Sequence, residues 1–214
     1  MAQGRQRQEL LLTRWLALLA LLVAPSACDG GAESPGSGGS SGGDSGAPLS
    51  VQAILFSAEG AGWAPLEPGG ALELWAAPQG GHWARIGARA RGLGTDTAEL
   101  AARLYDPGSS TPFVEATRTA PMVVAKDDPT LAQPDPSDMY HYVHLPLCPG
   151  EGGRALNGGE FRLVVTVTEL YGDFSEGSVA LDVRPTCQQP AGATLSFCTC
   201  ECAAAYAPGK CSGG

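Results

Sequence analysis

The sequence predicts an all-β chain, an antiparallel β-sandwich with a disulfide-rich C-terminal tail, and three observations carry that expectation. From residue 49 onward apolar residues recur with period two, the spacing of strands that bury one face. Turn-forming Gly, Pro, Asn and Asp interrupt these runs at short intervals, and Gly (30) and Pro (17) are abundant. The Ala-rich stretch 84–104 is broken by Gly92 and Gly94, so no helix is expected there.

Residues 49–56 open the domain, and Leu72-Glu73-Leu74-Trp75 follows a Pro-Gly-Gly turn. Residues 82–91 put Ala84, Ile86, Ala88 and Ala90 on one face and Trp83, Arg85, Arg89 and Arg91 on the other. Residues 98–105 repeat the pattern through Leu100, Ala102 and Leu104, then stop at Asp106-Pro107-Gly108. Shorter candidates lie at 113–117, 122–125 and 140–145. Phe161, Leu163, Val165 and Val167 alternate, and a turn at Tyr171-Gly172-Asp173 leads to Val179, Leu181 and Val183, which predicts an antiparallel hairpin. The stretch from Gly80-Gly81-His82 through Leu93, then from Ala98 to Pro107, resembles the early strands of immunoglobulin-like modules in exported bacterial proteins. The resemblance implies an immunoglobulin-like sandwich over residues 48–186.

Ahead of that domain the chain reads as an address and an anchor. Arg5, Arg7 and Arg14 precede the apolar run Trp15 to Ala24, which is too short to span about 30 Å of hydrocarbon. Residues 1–27 are therefore expected to be a signal peptide. Its exit, Pro25-Ser26-Ala27-Cys28, resembles the lipobox of bacterial lipoproteins, although Pro25 stands where that family usually has an aliphatic residue. The resemblance implies a diacylglyceryl group on Cys28 and an exported protein anchored in the cell envelope. Asp29, by the same resemblance, suggests inner-membrane retention, with inner and outer membrane left open. Plain secretion with cleavage near Ala27 is the alternative. Residues 28–47 comprise Cys28 and a Gly/Ser-rich tether, for which a flexible coil spans about 24 Å.

Seven cysteines cannot all pair. If Cys28 carries lipid, Cys148, Cys187, Cys198, Cys200, Cys202 and Cys211 remain, an even set for an oxidising compartment. Cys198-Thr199-Cys200-Glu201-Cys202 with Cys211 lies in the tail, 187–214, and admits two readings. Four thiolates suit Zn²⁺ or Cu(I), but the CxCxC spacing departs from the usual zinc knuckle and no His lies nearby. Disulfides are the favoured reading. Close neighbours such as Cys198 and Cys200 make strained partners, so at least one tail cysteine should reach Cys148 or Cys187. Six cysteines permit about 15 connectivities, and the choice stays open.

Charge narrows the function classes. The net charge is −9, and removing residues 1–27 takes a net +2 with it, leaving −11. An acidic chain without a basic run does not suit nucleic acid, whose affinity depends on cations set against phosphate. Catalytic signatures of metalloproteases, serine hydrolases and P-loop enzymes are absent from the sequence, so neither an enzyme nor a cofactor is expected. His82, His141 and His144 are expected to be structural or surface residues, with His141 and His144 on opposite faces. Asp127, Asp128, Asp135 and Asp138 lie in a Pro-rich segment without the spacing of a Ca²⁺ loop. The recognition candidate is Trp83 with Arg85, Arg89 and Arg91, an aromatic beside guanidinium forks that suits a glycan ring, a carboxylate or a phosphate. The expected function is a non-catalytic, membrane-anchored binding or structural module with a protein or polysaccharide partner. A metal-handling lipoprotein using the tail thiols is the alternative.

Overall fold

The structure is a computed structural model that describes residues 49–57, 62–150, 153–172, 174–189 and 191–211. The expected signal peptide, the expected lipidation at Cys28 and the expected tether all fall outside the described residues. Along the chain run β1 (Ser50–Ser57), β2 (Gly62–Pro65), β3 (Gly70–Ala76), β4 (His82–Arg91), β5 (Thr97–Tyr105) and β6 (Val114–Val124). They are followed by β7 (Ala132–Pro134), a 3₁₀ turn at Met139–His141, β8 (Val143–Cys148), β9 (Phe161–Glu169), β10 (Glu176–Cys187) and the helix α1 (Ala193–Glu201).

The inward rows are those the alternation predicts. Ala84, Ile86, Ala88 and Ala90 of β4 are buried, as are Ala98, Leu100, Ala102 and Leu104 of β5 and Leu163, Val165 and Val167 of β9. The late hairpin also forms, with β9 and β10 antiparallel from Thr168↔Glu176 to Phe161↔Val183.

The sandwich expectation is overturned. The strands close into a seven-membered ring, β4–β3–β10–β9–β5–β6–β7 and back to β4, a mixed barrel and not an antiparallel immunoglobulin-like sandwich. Two strands turn the corners. β3 pairs in parallel with β10 through Gly70–Leu74, then antiparallel with β4 through Trp75 and Ala76. β6 pairs with β5 up to Pro121 and with β7 beyond it, and Ala132 of β7 meets Ala90 of β4 to complete the circuit. Period-two burial is common to sandwiches and barrels. Closure is decided by partners far apart in sequence, such as β3 with β10. The many inward alanines suit it, because a narrow barrel is filled by its own side chains and small residues let opposite walls approach.

Two local expectations also change. The segments expected at 113–117 and 122–125 are joined in one continuous strand, β6, which leaves out Phe113 and Ala125, and the segment at 140–145 begins as a 3₁₀ turn and becomes β-strand only at Val143. β1, β3, β7 and β8 all border β4, and β2 extends the sheet outward from β1.

The tail contains a helix that the sequence reading did not expect, and three disulfides staple it. Cys148 bonds Cys202, Cys187 bonds Cys198, and Cys200 bonds Cys211. Tail cysteines thus reach both Cys148 and Cys187, and close neighbours avoid one another. Because Cys148 ends β8 and Cys187 ends β10, α1 is clamped across one end of the barrel. Among the described residues no helix is long and apolar enough to cross a membrane.

Candidate binding face

The outward row of β4 carries Trp83, Arg85, Gly87, Arg89 and Arg91, and its neighbours decide what each does. Pairing sets Trp75 of β3 opposite Trp83, His144 of β8 opposite Arg85, and Ile54 of β1 opposite Gly87. The result is an aromatic layer outside the barrel. It includes Trp63, Trp75 and Trp83, three of the four tryptophans of the chain.

Gly87 founds one half of this layer. A Cβ at that position would come within 2.7 Å of the Tyr142 ring, so only glycine lets the ring lie on the strand. Tyr142 is fully buried, stacks on Trp63 with ring centroids 3.2 Å apart, and donates its hydroxyl to the Pro134 carbonyl at 3.0 Å. Burial, with Asp135 adding to it, holds its phenol above the usual tyrosine range, so it stays a donor.

Arg85 founds the other half. Its guanidinium lies 4.4 Å from the Trp75 ring and 5.4 Å from the Phe56 ring, a cation held over two aromatic faces. Burial lowers its pKa below the ordinary guanidinium range, with Tyr140 pulling the other way. No carboxylate among the described residues forms an ion pair with it. Trp83 lies against the His144 ring at 4.3 Å, and the exposed Tyr140 ring sits 6.0 Å from the same imidazole. His144 bonds through Nε2 to the Met139 carbonyl at 3.1 Å. Burial depresses its pKa, and Arg85 and Arg118 add to the depression against the effect of that bond.

Three buried side-chain atoms in this layer lack a hydrogen-bond partner: Trp75 Nε1, Trp83 Nε1 and Arg85 Nε. Among the described residues only Gln189 Oε1 shares that state, so the unsatisfied donors are concentrated here.

The four-residue patch expected from sequence is therefore split. Trp83 and Arg85 join the aromatic layer, whereas Arg89 donates to Asp127 at 2.7 Å and to Gln133 at 3.1 Å, and Arg91 reaches Asp128 at 3.3 Å. These bonds also account for the Asp-rich segment. Asp127 is held below the usual carboxylate range first by Arg89, Asp128 first by Thr130, and Asp135 by Ser137. Asp138 accepts from the Tyr140 amide at 2.8 Å and caps the 3₁₀ turn. His141 bonds to the Asp135 carbonyl, away from His144.

The tail places His82 Nδ1 2.9 Å from Glu201 Oε2, with the ring N–H donating to the carboxylate and both residues buried. Cys187 and Cys198 sulfurs each lie 3.9 Å from that of Cys202, so two disulfides stack beside this pair. A His82 nitrogen and the Cys198 and Cys202 sulfurs fall within 4.8 Å of one another, but both sulfurs are committed to disulfides.

Elsewhere a cleft of about 400 Å³ is lined by Val114 and Glu115 of β6 and by Pro146 and Leu147 of β8.

Sequence reasoning found Trp83 and Arg85 but missed Phe56, Trp63, Trp75, Arg118 and Tyr142. The available signal was tryptophan itself, concentrated in strands that pairing brings side by side. No protein-family model matches the chain, and no curated protein sequence matches it.

Proposed function

We propose that the chain is a non-catalytic binding lipoprotein of the bacterial envelope. It is exported, anchored through Cys28, and held off the lipid by its Gly/Ser tether. Its barrel offers the outer face of β4 and β8 to a protein or polysaccharide partner.

The binding role rests on the Arg85 centre, a partly exposed guanidinium held over two aromatic rings that forms no ion pair with a carboxylate among the described residues. A ligand carboxylate would supply the partner that it lacks there. The anchor is supported by the lipobox-like Pro25-Ser26-Ala27-Cys28 and by cysteine pairing. The six cysteines after Cys28 pair completely among themselves, which leaves the seventh for another chemistry. Two or three acyl chains give stable attachment where one does not.

Fractionation tests the anchor, and envelope binding tests the face. Cys28→Ala is expected to move the protein from the membrane pellet to the soluble fraction; continued sedimentation with membranes would overturn the anchor. The soluble C28A protein is then expected to bind isolated envelopes, and W83A and R85A to weaken that binding. Unchanged binding by both variants would remove the role given to this face.

A further inference from the structure

We infer that the tip of the β9–β10 hairpin, carrying Tyr171 and Phe174, is a second membrane contact that seats in the boundary between lipid headgroups and acyl chains; this assignment rests on the lipid anchor proposed above.

Neither ring belongs to the core. Tyr171 is 66% and Phe174 68% exposed, the highest values among the exposed large hydrophobic residues described. Phe174 is also the only described residue other than glycine with a positive φ, 53°. That left-handed backbone disfavours a side chain with a Cβ, whereas glycine adopts it freely. A bulky ring kept there, outside the core, points to a contact beyond the chain.

Register places the tip at the end of the barrel where the anchored chain enters. Ser50 pairs with Arg91, Ala90 with Ala132, Thr97 with Pro121, Ala98 with Glu169, and Thr168 with Glu176. The start of β1, the end of β4, the last residues of β6 and the β9–β10 tip therefore share one end. Leu49 closes on Gly177, just beyond Phe174: a Cβ at Gly177 would lie 2.6 Å from the Leu49 carbonyl oxygen. The disulfide-clamped helix is at the opposite end, where β8 and β10 finish. Of the six exposed large hydrophobic residues described, four lie at the entry end: Val123, Val124, Tyr171 and Phe174.

This chemistry fits a lipid surface. Aromatic rings are favoured at headgroup level, where an apolar body meets a wet boundary. Asp127 and Asp128, in the connection after Val124, are paired with Arg89 and Arg91. The chain as a whole is acidic, so the attraction is apolar and not electrostatic. Two rings alone hold a protein on a membrane only weakly. For the tether expected at residues 28–47, a flexible coil spans about 24 Å, which keeps the rings at high effective concentration beside the bilayer. A contact too weak to recruit the protein then suffices to orient it, with the α1 end pointing away from lipid.

The test uses the full acylated chain in dimyristoylphosphatidylcholine vesicles, footprinted with hydroxyl radicals. Tyr140 serves as the reference, being exposed beside His144 on the barrel wall. Relative to Tyr140, oxidation of Tyr171 and Phe174 is expected to fall about tenfold below that of C28A protein free in solution, the low end for burying one aromatic ring. Y171S should restore oxidation of Phe174, and F174G that of Tyr171. Glycine accepts the backbone at 174 without strain, so F174G should melt no lower than the wild type, and its lost protection is not unfolding. Tip residues as reactive in anchored protein as in free C28A would overturn the inference and leave the anchor standing. Vesicle attachment that survives C28A but is lost in Y171S and F174G would support the tip and overturn the anchor. Protection of free C28A that rises with protein concentration would assign the tip to a second copy of the chain and overturn the membrane contact.

Discussion

Gly87 and Tyr142 show how much one missing side chain decides. Glycine inside a strand ordinarily weakens it, yet here it makes room for a ring that covers the strand. A Cβ would meet the Tyr142 ring at 2.7 Å and Ile54 at 3.0 Å, and neither neighbour has free space, since both are fully buried. Gly87→Ala is therefore expected to cost about 1–3 kcal/mol, the usual range for overpacking, read from the urea midpoint. In a Tyr142→Ala background the same substitution should cost much less, because the clash has been removed. Equal costs in the two backgrounds would sink the ring-contact explanation. Nothing in the period-two pattern marks this pair. Alternation assigns Gly87 to the outward face, where a glycine passes for a solvated position. Its partner arrives from residues beyond the 3₁₀ turn, a tertiary contact that spacing along β4 does not record.

At the scale of elements, β4 was legible in its faces and illegible in its partners. Its alternation separates the alanines and Ile86 from Trp83 and the arginines, and burial follows that division. What splits the arginines is the connection between β6 and β7. It brings Asp127 to Arg89 and Asp128 to Arg91 once Ala132 pairs with Ala90. The connection has a predictable response to acid. Asp127 and Asp128 have folded pKa values below the ordinary 3.8, so the unfolded chain takes up protons first as pH falls. Their contribution is present above that ordinary value and is lost as pH drops through the folded values. The amide of Thr130, which donates to Asp128 Oδ1 at 2.9 Å, reports the change. Its hydrogen-exchange protection factor should fall in acid while amides in β5 and β9 keep theirs. A Thr130 protection factor constant down to the acid unfolding of the barrel would rule out this anchoring. The aromatic layer was only partly legible for a related reason. Phe56, Trp75 and Trp83 come from three strands, and register alone makes them neighbours.

For the molecule as a whole, the pattern of burial was readable and the closure was not. Sandwich and barrel present the same alternating rows, and the parallel contact of β3 with β10 joins residues 70–74 to 183–187, beyond the reach of any local period. The cysteines gave a partial view of that long-range order, because their number and spacing required the tail to reach back to the domain. The three bridges divide the work unequally. Cys148–Cys202 closes 54 residues and ties β8 to the end of α1, whereas Cys200–Cys211 closes 11 residues within the tail. In the chain-entropy description these loops correspond to about 4 and about 3 kcal/mol of stabilisation, respectively. The smaller contribution also acts on a segment that can open locally without disturbing the barrel. Replacing both members of each pair by alanine leaves no unpaired thiol to form a wrong bridge. The C148A/C202A protein is expected to lose the larger share in global denaturant unfolding, with faster amide exchange in β8. The C200A/C211A protein should lose exchange protection chiefly at the amides of residues 203, 206 and 210, which bond within the tail, and retain most of its global stability. The opposite order would mean that the tail is held by its own small loop, and that α1 does not clamp β8 to β10 across the end of the barrel.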